Sequence, residues 1–221
     1  MTFATSDGVR LEGRLLAPAE PRGAAVVCHP HPLLQGSMSS LLVPMIQRAL
    51  AAAGWAALRF NFRGVGRSEG RFEEGRGEQR DVRAALDFLE ARFPDKPLAA
   101  AGWSFGSLVS LAAGAGDSRV RVFVAVAPPV RVQDEDAALD RYGIPRIPIQ
   151  PVPERLAGWD VRALAIIGDR DEFTTPDRVR AWAEETLPQR MAVEVFEDAD
   201  HVFNGRQHEL ADRVAAFVSE R

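Results

Sequence analysis

The chain has 221 residues, a length that suits one large α/β domain better than two small ones and is enough to bury a substantial core. Hydrophobic residues make up 46% and charged residues 26%, the balance of an ordinary soluble globular protein rather than a disordered or fibrous one. The formal net charge of −4 gives no electrostatic reason to expect a nucleic-acid partner.

The first thirteen residues, MTFATSDGVRLEG, are polar from the start and hold no apolar leader core, and no later stretch reaches the length of a membrane span. A cytoplasmic protein without a membrane partner is therefore expected. MTFAT and VRLEGRLL flank SDG, a hairpin signal. Residues 23–29, GAAVVCH, form a continuous apolar run and predict a buried strand. That run carries Cys28, the one cysteine, so neither an internal disulfide nor a cysteine-based zinc site is available. Residues 39–54 read as a helix closing at Gly54, with Pro44 confined to its first turns. A strand over 55–62 follows, then a helix over 75–93 with Val82, Leu86, Leu89 and Phe93 on one stripe.

Residues 97–103 predict a strand that runs straight into a helix, FGSLVSLAAGA. Strands follow at 120–128 and 161–169. Thr175 and Pro176 open a helix as cap and first helical residue, with Val179, Trp182 and Leu187 as its apolar face. The last strand is 191–198, and the C-terminal helix carries Leu210, Val214 and Phe217. A hairpin followed by repeated β-α-β units predicts a mostly parallel twisted sheet of about eight strands, with helices on both faces, in a single domain spanning 1–221. The segment 129–160 breaks the rhythm. It is proline-rich and too long for an ordinary connection, and reads either as a small lid over a site or as a structural excursion with a short helix near 134–141.

GWSFG, residues 102–106, matches G-x-S-x-G between a predicted strand and a predicted helix, the context that makes it a nucleophile elbow exposing Ser104. A serine hydroxyl is a weak nucleophile and needs a base. His201, in DADHVFNG after the last strand, is placed to serve. The histidine needs a carboxylate to fix its tautomer, and GDRDEF after the preceding strand offers Asp169 and Asp171. RFNFRGVGRSEG, residues 59–70, lacks the endings of a phosphate-binding loop; Arg63 or Arg67 is expected to tie neighbouring loops together.

Residues 28–38 read CHPHPLLQGSM. Residues two apart in an extended segment face one side, so His29 and His31 present themselves as a metal pair. A catalytic metal needs a third ligand, and the chain has four histidines with none well placed, so no metal or cofactor is expected. The other reading concerns backbone N–H groups. Acyl transfer needs two donors aimed at the developing oxyanion. One is the N–H of Phe105, which follows the nucleophile; the other comes from the loop after the third strand. Pro30 and Pro32 have none to give, which leaves His31 or Leu33, with His29 as a buried structural residue and one His–Pro bond a candidate for the cis form.

The segments HPHPLLQGSM, LRFNFRGVGRSEG, GWSFG, GDRDEF and DADHVF together resemble the small, largely cap-less α/β-hydrolases with an H-P-H-P segment after the third strand, which share their shape with dienelactone hydrolases. The resemblance covers nearly the whole chain. It implies Ser104 as nucleophile and His201 as base. The family's acid stands in a G-x-x-D pattern, which on Gly168 selects Asp171 over Asp169. The expected activity is that of a serine esterase or thioesterase on a small ester-like substrate, in a monomer or homodimer. A peptidase or amidase on the same triad, or a hydrolase-like binding or regulatory protein without catalysis, are the alternatives.

Overall fold

The structure, a computed structural model, describes residues 1–130 and 153–220. Strands β1 (Thr2–Ala4) and β2 (Arg10–Leu16) form the N-terminal antiparallel hairpin, with Phe3 opposite Leu11. The turn closes where Gly8 takes φ +83 and the Thr5 side chain accepts the N–H of Val9. β2 pairs antiparallel with β4 (Trp55–Phe60). From there the sheet is parallel: β3 (Gly23–Cys28) lies between β4 and β5 (Leu98–Trp103), followed by β6 (Val120–Val126), β7 (Arg162–Gly168) and β8 (Met191–Phe196). The order among the described residues is β1-β2-β4-β3-β5-β6-β7-β8.

Helices pack on both faces. α1 (Leu42–Ala52) lies against α6 (Gln207–Ser219), and α2 (Arg76–Arg92) against α3 (Phe105–Gly114). With both faces covered, the inner strands read as unbroken apolar runs: every residue of GAAVVC and LAAAGW is buried. α5 (Pro176–Thr186) begins as its sequence predicts, with Thr175 accepting the N–H of Arg178 and Pro176 as first helical residue. No helix of the described residues is long and apolar enough to cross a membrane.

Two local expectations change. α1 starts at Leu42 rather than at 39, because Ser37 accepts the N–H of Ser40 and Ser40 that of Val43, which winds 37–43 into successive tight turns. Pro44 then still falls in the first turn, where its missing N–H is no loss. No peptide bond among the described residues is cis, so both His–Pro bonds are trans. Of the 129–160 segment, residues 131–152 lie outside the described residues, and with them the expected helix near 134–141. Its end is anchored: after α4 (Pro153–Ala157) the buried Trp159 indole donates to the carbonyls of Asp117 and Val120, both at 3.1 Å.

The register gathers chemistry at one edge of the sheet. Cys28 stands opposite Gly102, Trp103 opposite Val126, Val126 opposite Ile166, and Gly168 opposite Phe196. The loops that leave the C-terminal ends of β3, β5, β7 and β8 therefore meet along a single rim.

Candidate active site

Ser104 forms the turn between β5 and α3 with φ 55 and ψ −125, a strained conformation for a residue with a side chain. Such strain persists only where the surroundings enforce it. Here the Ser104 N–H is held by the Val126 carbonyl at 2.8 Å, and the Ser104 carbonyl accepts both the N–H (2.9 Å) and the hydroxyl (2.5 Å) of Ser107. The glycines of the motif make the turn possible. A Cβ on Gly106 would lie 2.5 Å from the His29 carbonyl oxygen, so only glycine lets α3 start this close to the end of β3. Phe105 is the first residue of α3, and its N–H has no carbonyl in its own helix to pair with.

The loop after β7 brings in a carboxylate. Asp171 Oδ1 accepts the N–H groups of Phe173 (2.8 Å) and Thr174 (3.2 Å), while Oδ2 lies 2.8 Å from Nδ1 of His201. The Asp171 side chain is fully buried and the His201 ring nearly so. Asp169, by contrast, is exposed, and its N–H pairs with the Phe196 carbonyl. The two loops touch through backbone: a Cβ on Gly168 would stand 2.0 Å from the Ala199 carbonyl oxygen, which instead accepts the Arg170 N–H at 2.9 Å. That contact is the physical content of the glycine in G-x-x-D.

Three further residues hold His201, and sequence reasoning missed all of them. The Trp103 indole donates to the His201 carbonyl at 3.1 Å, tying the histidine loop to the residue just before Ser104. The Phe173 ring meets the imidazole edge-on at 4.4 Å between centroids. The Glu172 carboxylate accepts the His201 N–H at 3.3 Å. Trp103 and Phe173 stand inside the motifs already noted, but nothing in a motif says which neighbour a variable position will reach.

In the loop after β3 the two histidines part company. His29 is fully buried; its Nδ1–H donates to the Pro30 carbonyl at 2.7 Å and its Nε2 accepts the Phe62 N–H at 3.1 Å. Burial pushes its pKa down to about 4, so the ring is neutral. His31 caps a 3₁₀ turn over Pro32–Leu34: its Nδ1 accepts the Leu33 N–H at 3.2 Å. Its carbonyl accepts the N–H groups of Leu34 and Gly36, both at 3.0 Å. Burial lowers its pKa to about 4 as well. The Leu33 N–H is thus occupied, whereas the His31 N–H has no partner among the described residues. Further along, Asn61 accepts the Met38 N–H at 2.7 Å and Arg59 donates to the Met38 carbonyl at 2.6 Å, pinning the loop to β4. Among the described residues no group of three or more histidine, cysteine or acidic side chains could hold a metal ion.

Arg63 and Arg67, in the loop after β4, each tie segments together. Arg63 is fully buried and reaches Asp81 on α2 at 2.8 Å, Asp7 at 3.1 Å and Glu73 at 3.1 Å. These carboxylates hold the Arg63 guanidinium firmly in its charged form. Arg67 bonds to Glu12 on β2 through its N–H (2.7 Å) and Nε (3.1 Å).

The family model described as serine aminopeptidase, S33, matches residues 19–150 of the chain. A solved structure from Xanthomonas campestris, described as a member of the α/β serine hydrolases without lid, is 34% identical with a TM-score of 0.78, over 99% of this chain and 92% of that one. An uncharacterised protein of Rickettsia prowazekii is 29% identical over 215 residues, 95% of this chain and 84% of that protein. A thiohydrolase of Arthrinium phaeospermum is 30% identical over 200 residues, 87% of this chain and 63% of that protein.

Proposed function

The chain belongs to the serine aminopeptidase S33 family of α/β-hydrolases, and from that premise we propose that Ser104, His201 and Asp171 are its catalytic triad, acting on a small carboxylic ester. The observation that carries the reading is the carboxylate of Asp171. It is buried, fixed by two backbone N–H groups on one oxygen, and presents the other to His201 Nδ1 at 2.8 Å. A carboxylate so held keeps the proton on Nδ1 and leaves Nε2 free to act as a base.

Ser104 Oγ attacks the carbonyl carbon, and its proton passes to Nε2 of His201. Asp171 stabilises the imidazolium. The oxyanion is received by the N–H groups of Phe105 and His31, since that of Leu33 is engaged by the His31 ring. Collapse expels the alcohol, which takes the proton from Nε2. Water, deprotonated by the same nitrogen, then attacks the acyl-enzyme, and release of the acid restores Ser104. No step needs a cofactor. Cys28 takes no part, because burial raises its thiol pKa and keeps it protonated. The proposal takes the protein as cytoplasmic, acting as a monomer or homodimer. A thioester substrate is the second reading, favoured by the likeness to a thiohydrolase; the same steps then expel a thiol.

The test is hydrolysis of a short-chain p-nitrophenyl ester by wild type and Ser104→Ala, with a matched thioester and an aminoacyl anilide alongside. Loss of at least about 10³-fold in the variant is expected. Equal turnover, or failure of folded wild type to label with a fluorophosphonate, would sink the triad and favour a binding protein. Preference for the anilide would move the substrate class to peptides or amides.

A further inference from the structure

We propose that the imidazole of His31 is a positioning residue for the oxyanion hole, separate from the backbone donor of the same residue. The proposal rests on the reading above, in which the N–H groups of Phe105 and His31 receive the oxyanion. Two contacts of the ring carry it. Its Nδ1 accepts the Leu33 N–H at 3.2 Å, and its plane meets the Phe105 ring at 4.9 Å between centroids. The first fixes the loop that holds one donor. The second reaches the side chain of the residue that holds the other. The same ring therefore sets the separation of the two halves.

The hydrogen bond does the work that asparagine or aspartate commonly does at the head of a turn. Pro32 has no N–H, Leu34 gives its own to the His31 carbonyl, and Leu33 gives its own to the ring. Every amide of the turn is spoken for. Without the ring acceptor, the Leu33 N–H is released as a second free donor in the same loop, and the backbone at His31 (φ −56, ψ 123) loses the bond that holds it.

Packing alone does not explain a histidine here. The ring lies between Phe72 and Phe105, at 5.0 and 4.9 Å, an aromatic environment that phenylalanine would suit. Because the neutral ring accepts at Nδ1, its proton must sit on Nε2, and Nε2 is buried without a hydrogen-bond partner among the described residues. An unpaired buried donor is unfavourable. The imidazole is retained against that penalty, and the one polar contact it gains in return among the described residues is the bond at Nδ1.

The experiment compares His31→Asn, His31→Ala and His31→Phe with wild type, after Ser104 dependence of the wild-type activity has been established. Measured are kcat, KM, the melting temperature and the Ki of a trifluoromethyl ketone that forms a tetrahedral adduct. Asn and Ala both lack the ring and differ in the acceptor; Phe keeps an aromatic ring and lacks the acceptor. Misplacing a catalytic donor lowers rates by up to about 10²-fold. His31→Phe and His31→Ala are expected to lose about 10- to 100-fold in kcat and in ketone affinity, with KM within about threefold, and His31→Asn to recover at least about fivefold over Ala. Wild-type kcat in folded His31→Phe overturns the proposal. So does equal kcat in the Asn and Ala variants, a comparison that stands even if the Phe variant does not fold. Loss of Ser104 dependence in wild type would instead refute the triad reading itself.

Discussion

Asp171→Asn is the sharpest test of the candidate site, because the structure fixes how the new amide must lie. In the wild type, Oδ1 accepts two backbone N–H groups, from Phe173 and Thr174, and Oδ2 faces Nδ1 of His201. Asparagine has one oxygen. Placing it under the two N–H groups turns its NH₂ towards His201. The flipped amide would set donors against donors and forfeit two hydrogen bonds, each worth about 1 kcal/mol net, before the penalty for the unpaired groups. The NH₂ therefore faces Nδ1, Nδ1 becomes an acceptor, and the proton moves to Nε2. A protonated Nε2 cannot take the Ser104 proton. The variant also loses the carboxylate that stabilises the imidazolium. With charge centres about 4 Å apart and an effective dielectric near 20, that attraction is about 4 kcal/mol, or roughly 10³-fold in rate. Together the two effects predict a fall in kcat of about 10³- to 10⁴-fold. The substitution is nearly isosteric, so the melting temperature should move by less than about 5 °C. Asp169→Asn, at an exposed position, should change kcat by less than about threefold. The assay is steady-state hydrolysis of p-nitrophenyl acetate at pH 8, with melting followed by circular dichroism. A folded Asp171→Asn within tenfold of wild type, or a larger loss at Asp169, would refute the reasoning.

Other sites give equally definite expectations. Gly168→Ala must move backbone at the point where β7 abuts the histidine loop, so about 3 kcal/mol of stability should be lost, the upper end for overpacking, with kcat falling alongside; wild-type melting would show the close approach to be dispensable. Arg63→Leu strands the fully buried carboxylate of Asp81, and urea unfolding should show a loss of about 3–5 kcal/mol that the double variant with Asp81→Leu largely restores. His29 makes stability pH-dependent. Its folded pKa, pushed down by burial to about 4, lies below the unfolded value near 6.5. The folded state therefore binds the proton less readily than the unfolded one, so the stabilisation is complete above pH 6.5 and drains away as pH falls towards 4. Its full span is about 3 kcal/mol, and urea titrations at pH 7 and 4.5 should show His29→Gln with the shallower loss.

The parallel sheet and its helices were legible because burial on both faces leaves strands of unbroken apolar residues, such as GAAVVC and LAAAGW, that no amphipathic helix would show. The elbow was legible because a glycine on each side of a serine at a strand-helix junction has a steric cause. The choice between Asp169 and Asp171 was not, on residue chemistry alone. Both are aspartates just past the same strand, and the pattern of the resembling family was needed to separate them. What distinguishes them physically is a turn in which the Asp171 N–H reaches back to the Gly168 carbonyl at 3.3 Å, carrying the side chain inward. The support from Trp103 was invisible for a different reason: its indole meets a carbonyl far along the chain, and such contacts depend on how two loops settle against each other. The start of α1 was misjudged because Ser37 and Ser40 sustain turns that compete with the helix.

The two histidines of HPHP show how far alternation can be trusted. In an extended strand, residues two apart share a face, and a pair of imidazoles sharing a face suggests a metal. But β3 ends at Cys28, one residue before the first histidine, and beyond that point the rule has no strand to act on. His29 turns in against Phe62, where both ring nitrogens are committed to backbone groups of Pro30 and Phe62, leaving no lone pair for an ion. His31 turns towards Phe105 and spends its one acceptor nitrogen on Leu33. A proline after each histidine withholds the N–H that would otherwise continue the strand's ladder, so the chain must find other partners for its polar groups at this point. It finds them in the imidazoles themselves. The motif is thus a backbone device made of side chains: one ring closes the end of the sheet, the other closes a turn, and between them the His31 N–H is left without a partner among the described residues.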